Sequence, residues 1–172
     1  LELTKARLPW LVLALFGGFI SVHVLGIFEP VMDLHPELFF FTPLIAAMAG
    51  NVGVQSSAII VQGLANNTII GPVVERLLKE LSLSLLNGVI LSAILLLGSY
   101  FLLGYEIHVG YTVSIALLSV IIMASLIGTF IPIILNKYGV DPALATGPFI
   151  TTSNDILGIL TYFTIAKIIL GI

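Results

Sequence analysis

The chain has no cysteine. That excludes disulfides, a thiolate metal centre and a cysteine nucleophile. Charge is nearly as scarce. Six Lys+Arg and nine Asp+Glu make up 9% of 172 residues, where soluble domains carry about 25%. The bases are scattered singly and the net charge is −3, so there is no phosphate-tracking patch and no nucleic-acid partner is expected. No G-x-x-x-x-G-K-[ST] phosphate loop occurs, which leaves no ATP-driven mechanism to consider. The three histidines do not form a ligand set. His35 and His108 fall between apolar runs, and His23 has no second histidine or carboxylate at metal-ligand spacing.

Apolar residues are what the chain has in excess: 59% hydrophobic and a mean hydropathy of +1.20. A membrane-spanning helix needs about 20 mostly apolar residues. Five segments qualify, at about 8–28, 38–64, 81–103, 111–136 and 141–170. The expected fold is an all-α membrane protein with five transmembrane helices per chain, one domain over residues 1–172. Pro9 reads as an N1-like start for the first span and Trp10 as an interface anchor. The first run is long enough to span and no small-residue cleavage site follows it, so it reads as a span and not a signal peptide. The chain begins at Leu1 and reads as a piece of a longer protein.

Basic residues set the orientation. With the N-terminus in the cytoplasm, Lys5, Arg7, Arg76, Lys79 and Lys137 fall inside, and only Lys167 falls outside. The outer connections then collect Glu29, Asp33, Glu37 and Glu106, of which Glu29, Asp33 and Glu37 form a cation-attracting mouth or simply a solvated rim. The expectation is a multi-pass protein of the cell's inner (plasma) membrane, N-terminus in and C-terminus out. The inner connection "GPVVERLLKELSLS" reads as a short interfacial helix, opened by Pro72 and supported by the Glu75–Lys79 pair four apart.

The last span contains "TGPFITTSNDILGIL", with five polar residues at 151–155. Asp141 and Pro142 are good N-cap and N1 residues. Asp155 follows about 14 residues later, roughly 21 Å along a helix, near mid-membrane. A carboxylate there costs at least about 2.5–3.5 kcal/mol unless it meets water, a partner or an ion. No Lys or Arg lies at matching depth. The plainer alternative is a protonated Asp bonded to nearby amides. Pro148 removes a helical hydrogen bond and frees a carbonyl near Leu144, and Gly147 loosens the chain further. Broken backbone at this depth is tolerated mainly where it lines a cavity, although an ordinary kink is the simpler reading of a lone proline. Thr151, one turn before Asp155, shares its face. Hydroxyl, carboxylate and carbonyl oxygens suit hard cations such as Mg²⁺ and Ca²⁺.

The second span, "PLIAAMAGNVGVQSSAII", has a matching oddity. Asn51 and Gln55 are four apart and share a face. Ala46–Gly50 and Ala49–Gly53 give small-xxx-small spacing, which lets helices approach closely. Amides at this depth serve either as glue between helices or as lining for a polar path.

"GNVGVQSS" followed by "DPALATGPFITTSNDILG" resembles the MgtE magnesium channel family and its eukaryotic solute-carrier relatives, over nearly the whole chain. The resemblance implies a homodimer with a pore built mainly from the second and fifth spans. It maps the pore aspartate onto Asp155, an ion-facing carbonyl onto Thr151, and the motif amides onto Asn51 and Gln55. It implies Mg²⁺ as the transported ion. Family members carry a cytoplasmic N-terminal domain and a CBS pair, joined by a long helix of which "LELTKARLPWL" would be the tail. One Asp per chain is too little charge for a divalent ion, and a two-fold axis supplies two. Mg²⁺ keeps several waters, so a largely hydrated ion is expected between paired Asp155 carboxylates, with carbonyls near Gly147 and Thr151 touching its waters. Mn²⁺, Co²⁺ and Ca²⁺ accept the same oxygen ligands.

Other classes fit less well. An intramembrane aspartyl protease needs two carboxylates sharing a proton, and this chain has one such Asp. A serine protease needs a positioned base, and His23 has no nucleophile motif around it. No enzymatic activity is expected. A Na⁺- or H⁺-coupled secondary transporter of divalent cations is the alternative, since a broken helix with a midplane acid also fits that class.

Overall fold

The computed structural model describes residues 2–68 and 71–171, leaving out the surroundings of Ala6 and of residues 144–146. All regular structure among the described residues is helical: α1 Glu2–Ile27, α2 Glu29–Leu34, α3 Pro36–Ala65, α4 Val73–Phe101, α5 Ile107–Lys137 and α6 Pro142–Leu170. Five of these, all but the six-residue α2, are long and apolar enough to cross a membrane. At 1.5 Å per residue each exceeds the roughly 30 Å hydrocarbon core.

Three boundaries differ from the sequence reading. Pro9 lies inside α1 and does not open it, because the good helix formers Leu3, Lys5 and Arg7 carry the helix upstream of it. The inner segment is not a separate interfacial helix. It forms the first turns of α4, which starts at Val73 after Pro72 in extended conformation (φ −70°, ψ 141°). No helix breaker follows Pro72 until Gly88, so nothing stops the helix at the membrane surface. α6 runs unbroken through Gly147 and Pro148. The Glu75–Lys79 pair forms as expected, at 2.8 Å.

α5 is the spine. Val113, Ala116, Leu117, Val120, Ile121 and Ala124 are buried along it, against Leu38, Phe41, Ile45 and Ala49 of α3 and Ile159, Tyr162, Phe163 and Ala166 of α6. Glycines permit the closest crossings. A Cβ on Gly128 of α5 would strike the Gly53 carbonyl of α3, and one on Gly53 would strike the Asn154 amide of α6. The Ala49–Gly53 stripe therefore brings helices together, as small-xxx-small spacing does. The Tyr162 hydroxyl donates to the Leu38 carbonyl at 2.8 Å and ties α6 to the start of α3. α1 is more loosely attached. It rests on α6 where Gly17 meets Thr152, and Leu11, Leu15, Phe16, Phe19, Ile20 and Val22 stay exposed, as a lipid-facing or partner-facing helix would.

Candidate functional site

α6 begins as its sequence dictates. The Asp141 side chain accepts from the Ala143 amide at 2.9 Å, and Pro142 holds the first turn. From there the helix carries the polar run 151–155 into the bundle, and each of its five residues has a different surrounding. Thr151 donates back to the Gly147 and Pro148 carbonyls, both at 3.1 Å. The Thr152 methyl sits on Gly17. Ser153 borders an apolar groove between α4 and α5. Asn154 is fully buried and donates from Nδ2 to the Ala49 carbonyl at 3.1 Å. Asp155 is half-buried, and no hydrogen-bond donor reaches its carboxylate among the described residues.

Asp155 and Thr151 line a cavity of about 430 Å³ together with Ala46, Ala47, Gly50, Asn51, Val54 and Gln55 of α3. Four of the five sequence-derived candidates, Asn51, Gln55, Thr151 and Asp155, thus share one wall. The small side chains of Ala46, Ala47 and Gly50 keep it open, and nothing lies within 4 Å of where a Gly50 Cβ would stand. Gly147 does not line this cavity; its carbonyl, one turn earlier, is taken by Thr151. Leu144, whose carbonyl the sequence reading singled out, lies outside the residues whose surroundings are described. No Lys, Arg or His lines the cavity. Among the described residues no three His, Cys, Asp or Glu gather at metal-binding range. One chain therefore offers one carboxylate, amide oxygens and a hydroxyl, a set suited to a hydrated hard cation.

The histidines stay apart from this cavity. His35 pairs with Glu37 at 2.9 Å between α2 and α3, and His108 with Glu106 at 3.1 Å at the start of α5.

Sequence reading missed two features. Asn154 is the clamp between α3 and α6, which neighbouring Asp155 obscured. Glu80 of α4 is half-buried, where Ser56 of α3 and Ser125 of α5 reach its carboxylate. Part of the signal was available: Glu80, Ser84 and Asn87 are spaced i, i+4, i+7, a polar stripe on one face of α4.

Five helices long and apolar enough to span, with an oxygen-lined, base-free cavity between α3 and α6, define a polytopic membrane domain. The family model for MgtE, a divalent cation transporter, matches residues 42–165, and the chain belongs to the MgtE family, a family of transporters and not of enzymes. It is 40% identical over 161 residues to the magnesium transporter MgtE of Bacillus subtilis, covering 93% of this chain and 36% of that protein. It is 33% identical over 168 residues to the magnesium transporter MgtE of Thermus thermophilus, covering 96% and 36%. It is 34% identical over 170 residues to the magnesium transporter MgtE of Enterococcus faecalis, covering 97% and 37%. The chain thus spans little more than a third of the length of these relatives.

Proposed function

We propose that residues 1–172 form the membrane pore domain of a Mg²⁺ transporter that works as a homodimer in the plasma membrane. The observation that carries the reading is the cavity holding Asp155, Thr151, Asn51 and Gln55 with no basic residue in its lining. A single carboxylate undercharges a divalent ion. A two-fold axis beside α3 and α6 presents the same wall twice and supplies two. Six waters around the ion occupy roughly 180 Å³ at about 30 Å³ each, so a cavity of about 430 Å³ admits the hydrated ion. Asp155 holds it through charge. Asn51, Gln55 and Thr151 hydrogen-bond its waters, and the Gly147 carbonyl is the next acceptor one turn away. Binding through water is weak enough to release, which conduction requires.

The driving force is the ion gradient and the membrane potential, worth about 2.3 kcal/mol per charge per 100 mV. An odd number of spans puts the termini on opposite sides, and the bias of Lys5, Arg7, Arg76, Lys79 and Lys137 supports a cytoplasmic N-terminus. The names of the relatives support Mg²⁺ as cargo, and their greater length supports cytoplasmic regulatory domains in the complete protein.

The test is Mg²⁺ flux into liposomes at equal protein incorporation, parent beside Asp155→Asn. Flux in the parent that falls at least tenfold in the variant is expected, with a parallel loss of Mg²⁺ affinity by calorimetry. Equal flux and equal affinity would remove Asp155 from the pore. Flux that tracks an opposing Na⁺ or H⁺ gradient at fixed voltage would make the protein a coupled carrier.

A further inference from the structure

A second cavity adjoins the first. It measures about 490 Å³ and lies among α3, α4 and α5. Its polar lining is Asn51, Gln55, Ser56, Glu80, Ser84, Asn87 and Ser125. Asn51 and Gln55 border both cavities and stand between Glu80 and Asp155.

At the heart of this cavity three helices bring three oxygens together. Glu80 Oε1 accepts from Ser125 Oγ at 2.5 Å and from Ser56 Oγ at 2.6 Å. The two serine oxygens are 3.5 Å apart, and both serines are buried. The second carboxylate oxygen of Glu80 has no partner among the described residues. Glu80 lies seven residues into α4, about 10 Å from its start.

The Glu80 carboxylate is half-buried, and the cavity lining holds no Lys, Arg or His to balance its charge. The nearest bases in sequence do not serve. Lys79 is paired with Glu75 at 2.8 Å, and Arg76 borders a different cavity, with Lys137.

We propose that Glu80, Ser56 and Ser125 form a second cation site, which takes one small monovalent ion of the Na⁺ class per chain. The charge count sets the valence: one carboxylate among neutral oxygens balances one positive charge. The ligand type sets the class: hydroxyl, carboxylate and amide oxygens are hard donors, as at the Na⁺ sites of helix bundles. With an ion seated, the serine lone pairs face it and their protons turn to cavity water, while Asn51, Gln55 and Asn87 lie within the same cavity to complete its shell. Asp155 lies on the far side of the amide pair, so the two carboxylates are distinct although both cavities share Asn51 and Gln55.

The experiment is equilibrium ²²Na⁺ binding to the protein in lipid nanodiscs without Mg²⁺. Parent, Glu80→Gln, Ser125→Ala and Asp155→Asn are compared, each checked for its thermal melt. Expected are saturable uptake of one Na⁺ per chain in the parent and in Asp155→Asn, loss of it in Glu80→Gln, and at least tenfold weaker binding in Ser125→Ala. Should Glu80→Gln not fold, Ser125→Ala carries the decision. Absence of saturable Na⁺ uptake in the parent overturns the proposal. Uptake retained in Glu80→Gln, unchanged affinity in Ser125→Ala, or uptake lost in Asp155→Asn overturns it equally. Failure of the Mg²⁺ reading shows instead as unchanged Mg²⁺ flux in Asp155→Asn, which this binding assay does not touch.

Discussion

Replacing Gly53 by alanine tests the packing that holds α3 against α6. The added methyl would land on Asn154 Nδ2 and stand 3.0 Å from Ile150 Cγ2. Both residues are fully buried, so neither can swing into solvent. Overpacking of this kind costs about 1–3 kcal/mol. Displacing the Asn154 amide also strains its 3.1 Å bond to the Ala49 carbonyl. Hydrogen bonds between membrane helices average about 0.6 kcal/mol and reach about 1.7. Alanine returns up to about 1 kcal/mol through better helix propensity. The net loss is about 1–4 kcal/mol, or roughly 2–16 °C in melting midpoint at about 2–4 °C per kcal/mol for a chain of this size. The assay is the thermal melt in detergent, followed by loss of the monodisperse chromatographic peak. The reasoning also fixes a coupling. Asn154→Ala removes the atom struck, so the double variant should be less destabilised than the sum of the single changes. A Gly53→Ala melt within about 1 °C of the parent, short of the roughly 2–16 °C expected, or strict additivity in the double variant, would refute the close contact.

Gly128→Ala should be worse than Gly53→Ala and should not be rescued by Asn154→Ala, because its methyl meets the Gly53 backbone and no movable side chain; Gly50→Ala, with open space around it, should melt at or slightly above the parent, and the same melts rank all three. Asp141→Ala removes the bond to the Ala143 amide and should cost about 1 kcal/mol, as N-cap losses do, visible as a lower midpoint and faster amide exchange in the first turn of α6. Tyr162→Phe deletes the 2.8 Å bond to the Leu38 carbonyl and should cost about 0.6–1.7 kcal/mol, a drop of a few degrees, with Mg²⁺ flux unchanged.

Much of this fold is legible because hydropathy alone marks spans in a chain so poor in charge. The five apolar runs become five spanning helices, and the N-cap at Asp141 forms as its chemistry dictates. The misplaced boundaries share one cause. A proline or a cluster of charges reads as an end, but a helix ends only where its hydrogen-bond ladder has no continuation. Lys5 and Arg7 extend α1 upstream past Pro9, and "VVERLLKE" extends α4 out past its apolar portion. Pro148 does not break α6 either, since one missing N–H in a long packed helix is tolerated where neighbouring groups re-satisfy the freed backbone.

The candidate site is legible where polarity repeats at helical spacing. Asn51 and Gln55 share a face, as do Thr151 and Asp155, and the structure sets the two pairs around one cavity. Periodicity along α4 groups Glu80 with Ser84 and Asn87, but it carries no signal for the partners Ser56 and Ser125, because each of three helices contributes one oxygen and only the tertiary crossing brings them together.

Two amides show what decides between structure and function here. Asn51 and Asn154 both belong to the α3–α6 pair, and in the sequence both are intramembrane polar residues of equal promise. Asn154 falls on the face of α6 that also carries Ile150 and Gly158, which closes on Ala49 and Gly53. That face is closely packed, and its amide donates from Nδ2 to backbone while Oδ1 has no partner among the described residues. Asn51 falls on the other face of α3, beside Gly50 and Ala47, where missing side-chain volume leaves a cavity and the amide stays exposed. The small residues of α3 therefore do opposite things on its two faces. Ala49 and Gly53 admit a helix, and Ala46, Ala47 and Gly50 keep space open beside it. Asp155 follows Asn154 in sequence, about 100° further around α6. That single step takes the chain from the sealed face to the open one, and it explains why a clamp and an unpaired carboxylate sit side by side in one polar run.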